Sequence, residues 1–312
     1  MKVFSIIALI FLTLILVFLS CYLLVVRITF RYSLGRKNIA KRLDSKSGLI
    51  NQYEIDLCWW DKYKFTELTI VSEDGLKLKG HYLKTTTSSN RVALLVHGYG
   101  SDFREMQPYA KMFVDMGYSV LVVENRAHGK SEGNMIGMGW FDKEDVLSWI
   151  NVLVEKDEKC RIVLFGVSMG GSAVCMASGL NLPSNVVCAI SDCAFANVYD
   201  QMKYVLMKKK ETRARRAILK TFYKYMMRVY YFDLKTADAA TGLASCKIPV
   251  MFIHGKSDDF VPVENALKLA GKVSDYRKDV YLVENAGHAM SYVTNPRKYE
   301  FRVREFLKKY SM

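Results

Sequence analysis

The stretch that most limits what this chain can become is Gly166-Val167-Ser168-Met169-Gly170, set between two contrasting neighbours. Before it, Arg161-Ile162-Val163-Leu164-Phe165 is a short β-rich apolar run; after it, Gly171-Ser172-Ala173-Val174-Cys175-Met176-Ala177 is small and helix-compatible. A strand that feeds a helix through G-x-S-x-G makes a sharp elbow, which strains the serine backbone and lifts its hydroxyl clear of the sheet. A side chain at either flanking glycine would obstruct so tight a turn. The new helix aims its N-terminus at whatever sits beside that hydroxyl. Ser168 is therefore the candidate nucleophile, and a hydroxyl so placed still needs a base and an orienting acid.

Two histidines follow Ser168, namely His254 and His288. His254 ends an apolar run and is followed by glycine, as His97 is, which suits a structural role. His288 lies in Asn285-Ala286-Gly287-His288, a loop past the last expected strand, where an imidazole can reach over the serine. The acid is sought in His254-Gly255-Lys256-Ser257-Asp258-Asp259-Phe260-Val261-Pro262. Asp258 is preferred; Asp259, with a capping role as its alternative, and Asp192, at the end of the strand after the elbow, remain candidates. Two N–H donors for an oxyanion are expected from Met169, just after the nucleophile, and from Tyr99, in the turn His97-Gly98-Tyr99-Gly100. The side chain of Tyr99 is also placed to wall an acyl pocket.

Around the elbow the pattern is that of an α/β domain. Thr66 to Ser72 and Leu76 to Lys84 alternate about Asp74-Gly75, a hairpin signal. Buried strands are expected at Val92–Val96, Ser119–Val123, Val186–Ser191, Pro249–His254 and Val280–Val283. Helices near Arg104–Met116, Asp142–Glu155, Val263–Val273 and Pro296–Tyr310 alternate with them, which predicts a mostly parallel sheet covered on both faces. Residues 194–247 are too long for a bare loop and read as a helical insertion. Within it Ala214 to Tyr230 carries an apolar face beside a basic stripe of Arg216, Lys220, Lys224 and Arg228, the pattern of an interfacial helix or of a solvated one packed on the sheet.

Val3 to Val26 is almost unbroken apolar sequence, long enough to span a hydrocarbon core of about 30 Å. It lacks a signal-peptide cleavage site, and five further apolar residues after Cys21 argue against a lipobox. The expected organisation is thus an anchor over 1–26, a basic and then aromatic neck over 27–65, and a catalytic domain over 66–312. Trp59, Trp60, Tyr63 and Phe65 in the neck suit either the headgroup level or a place against the domain. The formal charge of +14 is concentrated in two blocks, Arg27–Lys46 and Lys203–Arg228, while the remainder is close to neutral. Such blocks without a nucleic-acid motif point to an anionic membrane surface, and no nucleic-acid partner is expected. Positive charge after the helix places the domain in the cytoplasm, and seven cysteines without paired spacing agree. No metal-ligand cluster is discernible.

Taken together, HGYG, NRAHGKSEG, GVSMGG, HGKSDDFVP and NAGHAMSY resemble the α/β-hydrolase superfamily from about Phe65 to Tyr310. The likeness is to membrane-anchored bacterial serine hydrolases of the serine-aminopeptidase or monoglyceride-lipase-like type. It implies an eight-stranded sheet, a helical cap after the sixth strand, a Ser168–Asp258–His288 triad and no cofactor. Asn125 and Ala127 depart from the usual aspartate and glycine of the NRAHGKSEG loop, which bears on its packing only. The expected activity is hydrolysis of carboxylic esters, with a small-molecule or lipid-like acyl substrate. Peptidase, amidase or acyltransferase chemistry on the same triad is the alternative, and a tethered binding protein with an idle triad is a more distant one.

Overall fold

The computed structural model describes residues 2–36, 58–86 and 89–311. Lys37, Lys41, Arg42 and Lys46, much of the first basic block and of the neck, lie outside the described residues. One eight-stranded sheet organises the rest. Its strands are β1 (Thr66–Val71), β2 (Lys77–Leu83), β3 (Arg91–Val96), β4 (Ser119–Val123), β5 (Arg161–Val167), β6 (Val186–Asp192), β7 (Val250–Gly255) and β8 (Lys278–Val283). Their spatial order is β1-β2-β4-β3-β5-β6-β7-β8. β1 pairs antiparallel with β2 and β2 with β4; every other neighbouring pair is parallel. After a polar first residue (Arg91, Ser119 and Arg161), the central strands β3, β4 and β5 are apolar and buried because helices cover both of their faces.

Eleven α-helices are found among the described residues: α1 (Lys2–Ser33), α2 (Cys58–Asp61), α3 (Gln107–Asp115), α4 (Asp142–Lys156), α5 (Met169–Ala177), α6 (Val198–Met207), α7 (Arg213–Val229), α8 (Ala239–Ala244), α9 (Glu264–Ala270), α10 (Ser291–Thr294) and α11 (Pro296–Tyr310). One core joins α3 and α11 to the sheet through Tyr109, Phe113, Phe165, Tyr299 and Phe306. The opposite face packs α4, α5 and α8 through Trp149, Leu164, Val174 and Leu243. The neck aromatics Trp59 and Trp60 are buried on the first face, and Trp60 Nε1 donates to the Arg104 carbonyl at 3.1 Å. They therefore cover the domain, whereas Tyr63 stays exposed.

The insertion after β6 holds α6, α7 and α8. Asn197, Thr212 and Asp238 cap these helices with side-chain oxygens on backbone N–H groups three residues on. α8 belongs to the layer over the sheet: a Cβ on Gly179 would lie 2.1 Å from the Gly242 carbonyl oxygen, so the chain after α5 and α8 meet backbone to backbone. α6 and α7 stand over the edge where the parallel strands end.

α1 runs from the apolar segment straight onto the domain. Its span Phe4–Arg31 is the one helix among the described residues long and apolar enough to cross a membrane, and only 6% of its most apolar stretch is buried by protein. The last turns are different. Val26, Phe30 and Leu34 are buried, and Phe30 stacks on Tyr230 of the insertion with centroids 4.5 Å apart. The Ser33 carbonyl, one of those a helix end leaves without an intrahelical donor, accepts from Tyr99 Oη at 2.6 Å. Arg36 reaches three more carbonyls, those of Ser131 (2.6 Å), Gly129 (2.9 Å) and Gly133 (3.3 Å).

The two departures in the 125–133 loop have local explanations. Asn125 donates Nδ2 to the His97 carbonyl at 2.8 Å, a bond that an ionised aspartate cannot make. Ala127 has φ 62°, in the left-handed region, so the glycine usual there would be less strained.

Candidate active site

Five loops meet at the carboxyl edge of the parallel strands, where open α/β sheets build their sites. β5 ends at Val167, and Ser168 turns into α5 with φ 55° and ψ −116°. The two flanking glycines are required by space. A Cβ on Gly166 would lie 2.2 Å from the Gly170 carbonyl oxygen, and one on Gly170 would lie 2.1 Å from that of Val96. The elbow is also tied sideways, since Ser168 N donates to the Asp192 carbonyl at 2.8 Å.

The loops after β7 and β8 are bound to each other. Lys256 N donates to the Val283 carbonyl at 2.9 Å and Ser257 N to that of Ala286 at 3.0 Å. Gly255 makes this possible, because its Cβ would fall 2.2 Å from the Ala286 carbonyl oxygen. Asp258 and His288 are thereby held at fixed separation. His288 Nδ1 donates to Asp258 Oδ2 at 2.7 Å, and its Nε2 faces Ser168 Oγ at 2.9 Å. A proton on Nδ1 leaves Nε2 as the acceptor for the serine proton. Ser168 is 8% exposed and the His288 side chain 21%, while the Asp258 carboxylate is fully enclosed.

Asp258 is an ionised acid in spite of its burial. Burial works to raise its pKa, but the hydrogen bonds from His254 and His288 outweigh it, with His288's charge and the Val261 amide adding to them. The carboxyl is held well below the usual carboxylate range. Its Oδ1 accepts from the amides of Phe260 (3.0 Å) and Val261 (2.8 Å), which fixes its plane. Asp259 points elsewhere and pairs with Lys208 at 2.7 Å. Asp192 is completely buried, accepts from Tyr299 Oη at 2.9 Å, and is pushed up to about 6 chiefly by burial. Of the three carboxylates weighed from the sequence, Asp258 is the one hydrogen-bonded to His288.

Met169 opens α5, so its N–H belongs to the first turn, which has no intrahelical acceptors. Tyr99 shares both cavities that adjoin Ser168. The smaller cavity, about 160 Å³, is lined by Gly98, Ser101, Glu105, Tyr109 and Tyr292 among others. The larger, about 610 Å³, runs under α6 and α7 and is mostly apolar.

Two residues beneath the site were not legible as part of it. His254 is fully buried; its Nε2 lies 2.8 Å from the Val261 carbonyl and 3.3 Å from Asp258 Oδ2. It is a second imidazole on the same carboxylate. Burial lowers its pKa, but the Asp258 hydrogen bond and the Val261 carbonyl reverse this and leave it raised. Cys193, with φ 46°, offers Sγ within 4.8 Å of donor atoms on Asp258 and His288. Burial pushes that thiol well above its ordinary value, so it stays protonated and makes a poor metal ligand. The signal for both lay only in their places at strand ends next to Asp258 and Asp192.

Comparison with known proteins agrees with this architecture. Residues 87–231 match the family model described as serine aminopeptidase, S33. The chain is 28% identical over 249 residues to the uncharacterized protein YqkD of Bacillus subtilis, covering 80% of this chain and 81% of that protein. It is 26% identical over 211 residues to the bovine mitochondrial palmitoyl-protein thioesterase ABHD10, covering 63% and 66%. The solved structure of the Pyrococcus furiosus esterase Pf2001 shares the fold, with a TM-score of 0.66, 22% identity, and coverage of 80% of this chain and 93% of that one. With its eight-stranded sheet and its serine on a strand-to-helix turn, the chain has the α/β-hydrolase fold.

Proposed function

We propose that this α/β-hydrolase cleaves carboxylic esters through an acyl-enzyme on Ser168. The observation that carries the reading is the unbroken chain of contacts from Ser168 Oγ to His288 Nε2, and from His288 Nδ1 to Asp258. His288 takes the serine proton as Oγ attacks the carbonyl, and Asp258 stabilises the imidazolium that results. The amides of Met169 and Tyr99 receive the developing oxyanion. His288 then returns the proton to the leaving alcohol, and water, deprotonated by the same imidazole, releases the acid. α1 anchors the enzyme in a membrane, and positive charge at its C-terminal end sets the catalytic domain on the cytoplasmic side. The basic face of α7, with Lys220, Lys224 and Arg228, suits an anionic lipid surface.

A peptidase reading is favoured by one observation: Glu105 lines the smaller cavity, where a carboxylate could hold an α-amino group. Turnover of p-nitrophenyl esters against aminoacyl p-nitroanilides by the full chain separates the two. Ester kcat/KM is expected to exceed that of the amides by at least about a hundredfold; the opposite order would make the enzyme a peptidase.

A further inference from the structure

The two cavities that meet at Ser168 differ in size and in what builds them. The larger one takes part of its wall from α1, through Thr29 and Ser33, and from Leu34 just after it, facing Leu219 and Phe222 of α7. A helix that served only as a tether would hand over to the domain through solvated chain. Here the handover is rigid. Leu34 is fully buried, its carbonyl accepts from Ile136 N at 2.9 Å, and Gly35 bridges Met135. Tyr99, the residue proposed to supply an oxyanion amide, is joined by its hydroxyl to the Ser33 carbonyl.

The level of the cavity follows from helix geometry. Val25 is the last residue of α1 in the exposed apolar run before buried Val26, and Thr29 lies four residues on, about 6 Å at the α-helical rise. The headgroup layer on each side of a hydrocarbon core is about as thick as that. The α1 wall of the cavity therefore begins where the bilayer ends. A second, mostly apolar groove of about 820 Å³ lies between the same two helices on the bilayer side, from Leu19 to Arg27 of α1 against Tyr225 and Val229 of α7. The lining of the larger cavity includes Lys208, Lys209 and Arg215 and no acidic residue.

We infer that α1 is part of the substrate site. The larger cavity receives the acyl chain of a long-chain ester drawn directly from the adjoining leaflet, and the smaller one takes the leaving alcohol. This rests on the ester-hydrolase reading of Ser168. The volume is within the range of about 300–1,000 Å³ usual for ligand cavities, and its apolar lining fits a chain that gains free energy with each methylene buried.

The test uses the full chain in lipid nanodiscs and a fluorophosphonate bearing a 16-carbon chain with a terminal diazirine. After reaction with Ser168 and photolysis, crosslinks are expected on residues 19–34 or on α7. Crosslinks confined to Tyr109, Tyr292 and Val293 would overturn the inference while leaving Ser168 as nucleophile. No adduct on Ser168 would overturn the ester-hydrolase reading and this inference with it. A second arm compares 16-carbon with 2-carbon esters. Thr29→Trp is expected to lower the long-to-short ratio of kcat/KM about tenfold, and Leu12→Trp, on the exposed apolar run, to leave it unchanged. An unaltered ratio in Thr29→Trp would contradict the assignment.

Discussion

Replacing Asp258 by asparagine tests the orienting role of the carboxylate with almost no change of shape. In the native site Oδ1 accepts the Phe260 and Val261 amides, while Oδ2 takes His288 Nδ1 at 2.7 Å and His254 Nε2 at 3.3 Å. Those two backbone donors keep an acceptor, so the asparagine carbonyl occupies the Oδ1 position and its NH2 group faces both imidazoles. His288 then has to accept at Nδ1 and carry its proton on Nε2, facing Ser168 Oγ with a donor in place of an acceptor. The serine loses its base. Where the same tautomer reversal occurs in a serine protease, kcat falls about 10⁴-fold, or roughly 5 kcal/mol in barrier, and we expect a similar loss here. The assay is kcat/KM on p-nitrophenyl butyrate at pH 7.5, with thermal melting by circular dichroism as the control for folding. Melting should also show the linkage. The lowered pKa of Asp258 contributes stability that is full above about pH 4, the unfolded value, and is lost as pH falls toward the folded one. The variant lacks this acid-side dependence. A fall in activity of less than tenfold, in a variant that melts normally, would refute the argument.

Further outcomes follow from particular contacts. Gly170→Ala places a methyl 2.1 Å from the Val96 carbonyl oxygen, and should cost more than about 3 kcal/mol in denaturant titration together with activity. Asp192 has a folded pKa of about 6 against an unfolded value of about 3.9, so it removes stability as pH rises from about 4 to 6. Asp192→Asn, whose carbonyl still accepts from Tyr299, should therefore melt higher than the wild type at pH 8, by on the order of 2 kcal/mol, with the gap closing by pH 4. Arg36→Ala removes the guanidinium shared by three carbonyls and should weaken docking of α1 on the domain by about 2 kcal/mol, read as faster amide hydrogen exchange over residues 129–136.

The sheet was legible because its strands are short, buried and separated by helices with clear periodicity, and the elbow because two glycines flank one serine. Pro296–Tyr310 emerges with the bounds its periodicity predicts, since Pro296 and the Asn295 cap mark its start. β8 begins at Lys278, two residues before the expected Val280, because Lys278 and Asp279 are polar and their strand character comes only from pairing with Val250 and Met251. Asp258 could be preferred over Asp259, but not settled from spacing, as the choice turns on which carboxylate the Phe260 and Val261 amides capture. The docking of α1 was not legible at all. It depends on Ser33 meeting Tyr99 and on Arg36 meeting residues 129–133, contacts between segments far apart in sequence with no motif to announce them. His254 gave no sign of sharing Asp258 for the same reason: its spacing suits a strand end equally well.

The central claim is that three side chains remote in sequence make one hydroxyl nucleophilic. Intact-mass analysis after reaction with a small fluorophosphonate, followed by peptide mapping, tests it most directly. The account predicts one adduct per chain, located on Ser168, absent in Ser168→Ala and formed at least about a thousandfold more slowly in His288→Ala. A folded wild-type chain that stays unmodified, or carries its adduct on another residue, would contradict it.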